Sequence, residues 1–117
     1  MNKAELEEIW MLFEQDGIAA LKEAEEHILA IESNPTSYHD LNGLYRALHS
    51  LKGNAKVMGL KQLEALTHRT EDIVGIYRSS RQPFADTPLH IVLQTCDVIR
   101  NQFPNIVTTK DDIPEPV

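Results

Sequence analysis

This chain is poor in most of the residues that would make its chemistry obvious. It has 117 residues and one cysteine, Cys96. A single cysteine excludes an internal disulfide and fits a reducing compartment, which points to the cytoplasm. Aromatic residues are 6% of the chain, and Trp10 is its one tryptophan. Basic residues are also few, 11 against 18 acidic ones, for a net charge of −7. Nucleic-acid binders present a basic patch, so that class is excluded as a general reading. No apolar run reaches the ~18 residues of a membrane span. The first residues, Met1-Asn2-Lys3-Ala4-Glu5, lead into an acidic amphipathic stretch, unlike a signal peptide. The rest is rich in Leu, Ile, Ala, Glu and Lys, a composition that favours helices.

Apolar residues recur at spacings of three and four along four segments. The first runs from about Lys3 to Ser33, with Leu6, Ile9, Trp10, Phe13, Ala20, Leu21, Ala24, Ile28 and Ile31 as its stripe. Gly17 interrupts it, as a bend or a close helix contact. Ser33-Asn34-Pro35-Thr36-Ser37 is turn chemistry, with Thr36 or Ser37 able to cap the next helix and Asp40 suited to its first turn. The second segment carries Leu41, Leu44, Leu48, Leu51, Ala55 and Met58, and Gly59 reads as its left-handed stop. The third carries Leu63, Leu66, Thr70, Ile73, Val74 and Tyr77. Thr87 is expected to cap the fourth, with Pro88 at its first position. Its stripe is Leu89, Val92, Leu93, Cys96, Ile99 and Phe103, and Pro104 is expected to end it. The fold expected is therefore all-α: an antiparallel, up-down four-helix bundle over residues 1–106, followed by a flexible linker or tail over 107–117.

The stretch His49-Ser50-Leu51-Lys52-Gly53-Asn54-Ala55-Lys56 concentrates the chemistry. On a helix, residues three and four apart share a face, about 5–6 Å from one another. Lys52, Gly53 and Lys56 thus lie on the side of His49. Gly53 leaves the imidazole uncovered, and a glycine in mid-helix costs stability, which calls for a reason. The third helix has a matching row, Glu64, His68, Glu71 and Gly75. If the two helices are antiparallel neighbours, Glu71 can accept the N–H of one ring nitrogen of His49 and leave the other as a nucleophile. Lys52 would then offset the charge of a transferring phosphoryl group, with Lys56 helping from the next turn. His68 would steady the network by bonding Glu71 or His49. No Walker loop and no acidic metal cluster accompany these residues. The chain would carry phosphate without kinase activity of its own and without a cofactor, Mg²⁺ and ATP belonging to partner domains. His27, His39 and His90 show no such spacing and read as surface residues, and Cys96 as a small core side chain.

The stretch Ala47-Leu48-His49-Ser50-Leu51-Lys52-Gly53-Asn54-Ala55, with Gly59 beyond it, resembles the histidine phosphotransfer (HPt) domain family. The likeness spans roughly residues 5 to 104. It implies a helical bundle in which His49 is phosphorylated on the ring nitrogen farther from the backbone. The partners it implies are receiver domains of response regulators and a histidine kinase catalytic domain. Leu66-Thr67-His68-Arg69-Thr70-Glu71-Asp72-Ile73 resembles the third helix of the N-terminal phosphotransfer (P1) domain of the chemotaxis histidine kinase. In that subfamily a second histidine and a glutamate form a network with the phosphorylated histidine and its lysine, and His49, Lys52, His68 and Glu71 match those positions. Asn54 departs from the small residue usual there, and a fifth helix is not evident after Pro104. A free-standing carrier and a module of a chemotaxis-type or hybrid kinase both remain open. Two other classes compete: a small bundle binding metal through His49, His68 and Glu71, and a docking-only bundle that has lost phosphotransfer.

Overall fold

The computed structural model describes residues 1–115. Four helices follow one another: α1 (Lys3–Ser33), α2 (Tyr38–Val57), α3 (Lys61–Ser80) and α4 (Asp86–Thr109). Short connections force an up-down course. Helix α1 packs on α2 and α4, and α2 packs on α3, whereas α3 and α4 touch little. The bundle order is thus α3-α2-α1-α4. The expected all-α four-helix bundle is what forms.

The core is the expected stripe with few exceptions. Leu21, Ile28, Ile31, Leu44, Leu48, Leu51, Leu63, Val74 and Phe103 are sealed from solvent. Leu6 is not; it lies exposed on the first turns of α1, beyond the edge of the core. Gly17 marks a close helix contact. A Cβ there would run into the Phe103 ring of α4. The same ring stacks on Phe13, 5.2 Å between centroids. Absence of a side chain on α1 is thus what lets the Phe103 ring seat between the two helices.

Helix ends follow local chemistry, with one helix differing from expectation at both ends. Ser37 caps α2 by accepting from the Asp40 amide at 3.3 Å, and Gly59 (φ +72°) provides the left-handed turn after it. Helix α4, however, starts at Asp86 after Ala85, without a side-chain cap from Thr87. Pro88 consequently sits in the third position of the helix. That position tolerates proline because first-turn amides have no intrahelical partner anyway. The loop before it is held by Phe84, which is buried, stacks on Tyr77 at 4.4 Å and donates its amide to the Pro35 carbonyl at 3.0 Å.

Pro104 does not end α4, which continues to Thr109. A proline inside a helix costs about 3 kcal/mol. Beyond it, Ile106 is fully buried and Val107 packs against the core, and burying side chains of this kind is worth about 1.5–3 kcal/mol each. The last turn is therefore retained. The expected tail from residue 107 is also corrected at its start. Lys110 closes the helix in a left-handed conformation and pairs with Glu7 of α1 at 2.8 Å. The Asp112 carboxylate then accepts the amides of Gln62 (2.5 Å) and Leu63 (3.0 Å), and Ile113 packs against the core. Helix α3 starts after Leu60, which offers no side-chain cap, so a residue half a chain away serves it.

His27, read as a surface residue, is half-buried; its Nδ1 bonds Asp40 at 2.9 Å, and its ring lies where a Cβ on Gly43 would be. Cys96 is buried, and burial pushes its thiol up to about 12, so it behaves as a core side chain. No helix among the described residues is long and apolar enough to cross a membrane.

Candidate functional site

The α2–α3 seam brings together His49, Lys52 and Glu71. Residues 49 and 52 are one turn apart on α2, and the antiparallel α3 places Glu71 between them. The Glu71 carboxylate receives the His49 Nδ1 at 2.8 Å on Oε2 and the Lys52 ammonium at 2.9 Å on Oε1. The two oxygens are thus shared out, one to each helix-α2 partner.

Hydrogen bonding, against burial, sets the charge state. Only 4% of the Glu71 side chain is exposed, and such burial alone pushes a carboxyl pKa up. The hydrogen bonds from Lys52 and His49 outweigh that and hold Glu71 below the ordinary carboxylate value. An ionised carboxylate can only accept, so His49 Nδ1 carries the proton. In the neutral ring Nε2 is then the nitrogen with the free lone pair. The imidazole is the exposed member, with 63% of its side chain open to solvent. Beside it lies a shallow depression walled by Asp16, Ala20 and Glu23 of α1 and floored by Gly53 and Asn54 of α2. A Cβ on Gly53 would meet nothing within 4 Å. The glycine keeps this approach low.

Two expected members stand apart from the network. His68 bonds neither Glu71 nor His49; its Nε2 pairs with Asp72 across 3.6 Å on the outer face of α3. The reason is that both Glu71 oxygens are turned toward α2 and occupied, while Asp72 lies one turn from His68 on its own side. Lys56 is exposed beyond Lys52 and makes no hydrogen bond or ion pair with His49 or Glu71. Possible metal ligands do converge in His68, Glu71 and Asp72, whose donor atoms lie within 4.8 Å of one another. The Lys52 ammonium on the Glu71 carboxylate opposes a cation at that point.

Sequence pattern does not single out Tyr45 and Arg78, yet they adjoin the site. Tyr45 lies one turn before His49, its ring nearly parallel to the imidazole. Arg78 covers the Tyr45 ring at 4.0 Å. A signal does exist in the spacing: Tyr45 precedes His49 by four, and Arg78 follows Gly75 by three on the row that carries Glu71.

A helical bundle with an exposed, carboxylate-paired and lysine-flanked histidine has the form of a phosphotransfer domain. The chain belongs to the Hpt domain family, whose pattern it matches over residues 8–103. It is similar to the chemotaxis protein CheA of Treponema pallidum, with 30% identity over 94 residues, covering 80% of this chain and 12% of that protein. The chain therefore spans a small part of the length of the curated relatives it matches. Among solved structures it resembles the phosphorylated P1 domain of CheA3 from R. sphaeroides, in complex with CheY6 (TM-score 0.85, 31% identity, 92% of this chain and 84% of that one). It also resembles the CheA phosphotransferase domain from Thermotoga maritima (TM-score 0.82, 29% identity, 86% and 96%).

Proposed function

We propose that His49 is the phospho-acceptor of this domain, in a cytoplasmic two-component relay. The observation that carries this reading is the Glu71 carboxylate on His49 Nδ1 at 2.8 Å, with the ring otherwise exposed. It leaves Nε2 as the ring nitrogen available to react. The donor is ATP held by a histidine kinase catalytic domain, which also brings Mg²⁺. The Nε2 lone pair forms the N–P bond as the bond from the γ-phosphorus to the bridging oxygen breaks, and ADP leaves with that electron pair. The Nδ1 proton remains with the ring, and Glu71 offsets the positive charge that develops there. In the second transfer an aspartate oxygen of a receiver domain attacks the phosphorus, and the N–P electrons return to Nε2. Lys52 steadies Glu71 and supplies positive charge beside the incoming phosphoryl oxygens.

The likeness to P1 domains supports placing this chain as the P1-like module of a chemotaxis-type or hybrid histidine kinase, with a response regulator receiver as recipient. Incubation with a kinase catalytic domain and labelled ATP tests it, with His49→Gln alongside. Label on the wild type and none on the variant is the expected result. Equal labelling of both would move the acceptor to another side chain.

A further inference from the structure

One hydrogen bond cannot orient an exposed ring. The Glu71 contact fixes His49 Nδ1, but the imidazole could still swing about that bond and carry Nε2 away from the depression. A second restraint lies on α2. The Tyr45 ring is inclined to the imidazole by only 14°, with centroids 6.3 Å apart, within the range of offset aromatic pairs. Tyr45 itself is held from α3. The Arg78 guanidinium lies 4.0 Å over its ring, within cation–π distance, and donates to Asn42 Oδ1 at 3.3 Å. Gly75 gives the ring its seat, since a Cβ there would come within 3.3 Å of Tyr45 Cε2. A mid-helix glycine, an arginine and an amide are thus spent on one tyrosine that neighbours the acceptor.

We infer that Tyr45, clamped by Arg78 and seated on Gly75, is a positioning residue that orders the His49 imidazole for transfer. It acts through the plane of the ring, whereas Glu71 acts through the tautomer. The kinetic part of this inference rests on His49 being the acceptor; the ordering of the ring does not.

The test compares Tyr45→Ala and Tyr45→Phe in the full chain. Phosphoryl transfer from a kinase catalytic domain with Mg²⁺ and ATP is followed by kcat and KM. Relaxation of the His49 ring carbons is measured without any partner. Phe keeps the ring face and should keep wild-type transfer and ring order. Ala should lower kcat by roughly 10- to 100-fold, up to the ~10²-fold that a ~1 Å misplacement of a reacting group can cost, leave KM unchanged and raise ring mobility. Gly75→Ala, which nudges the Tyr45 ring, should have a smaller effect in the same direction. Unchanged His49 mobility in a folded Tyr45→Ala chain would overturn the inference, as would a change in KM with kcat intact. If the wild type takes no label, the acceptor assignment fails, and ring mobility still decides whether Tyr45 orders His49.

Discussion

Glu71 accepts His49 Nδ1 at 2.8 Å across 22 residues of sequence, and with its other oxygen it accepts Lys52 at 2.9 Å. One buried carboxylate thereby sets the tautomer of an exposed histidine and the position of its neighbouring cation. Replacing it by glutamine keeps the shape but changes the hydrogen-bond logic. If the carbonyl of the new side-chain amide retains Lys52, its NH₂ faces His49 Nδ1, and the ring proton is driven to Nε2. Glu71→Gln should therefore slow transfer by about 10–100-fold, the range known for loss of the carboxylate partner of a metal-ligating histidine, with receiver binding unchanged. Stopped-flow transfer alongside a binding titration checks this. A wild-type rate would remove Glu71 from the mechanism.

Acid should act through the same residue. Glu71 is held below its ordinary value in the folded chain, so the unfolded chain binds its proton more readily. Stability from this group is then present above the unfolded value and is lost as pH falls through the lower folded one. The Tm advantage of the wild type over Glu71→Gln should shrink as pH falls from the ordinary carboxylate range into the range below it. A gap constant over that range would show that Glu71 titrates alike in both states.

Two glycines in helices should respond oppositely to alanine. At Gly53 a Cβ meets nothing within 4 Å, whereas at Gly17 it runs into the Phe103 ring. Gly53→Ala should raise stability by up to about 1 kcal/mol through helix propensity. Gly17→Ala should lower it by about 1–3 kcal/mol through overpacking. Urea unfolding of both variants measures this. Destabilisation by Gly53→Ala would mean that its surroundings are not open.

The segment after α4 should contribute to folding. Asp112→Ala removes the acceptor for the Gln62 and Leu63 amides, and loss of a helix cap typically costs about 1 kcal/mol. Asp112→Asn, which keeps an acceptor oxygen, should recover part of it. Chemical denaturation reads both. No change on Asp112→Ala would show that water serves the start of α3 equally well.

Legibility in the sequence follows the range of the interactions. His49, Lys52 and Gly53 share a helical face by spacing alone, and Glu71 needs only the further assumption that α2 and α3 run antiparallel. His68 is misplaced by pattern because spacings of three and four both mark neighbours. Geometry chooses Asp72, since Glu71 is already committed across the seam. Pro104 reads as a terminus because local rules weigh the lost hydrogen bond but not the burial of Ile106 just beyond it. Asp112 as the cap of α3 lies about 50 residues from the amides it serves, beyond any local pattern. Tyr45 is not singled out by pattern, because its setting depends on Arg78 and Gly75 closing around it from another helix.

The most direct measurement is to phosphorylate the chain and locate the phosphorus by ¹H–¹⁵N correlation on the histidine rings. Phosphorylation at Nε2 of His49, with Nδ1 still protonated toward Glu71, is the expected result. Phosphorus on Nδ1 of His49, or on His68 or any other histidine, would contradict it.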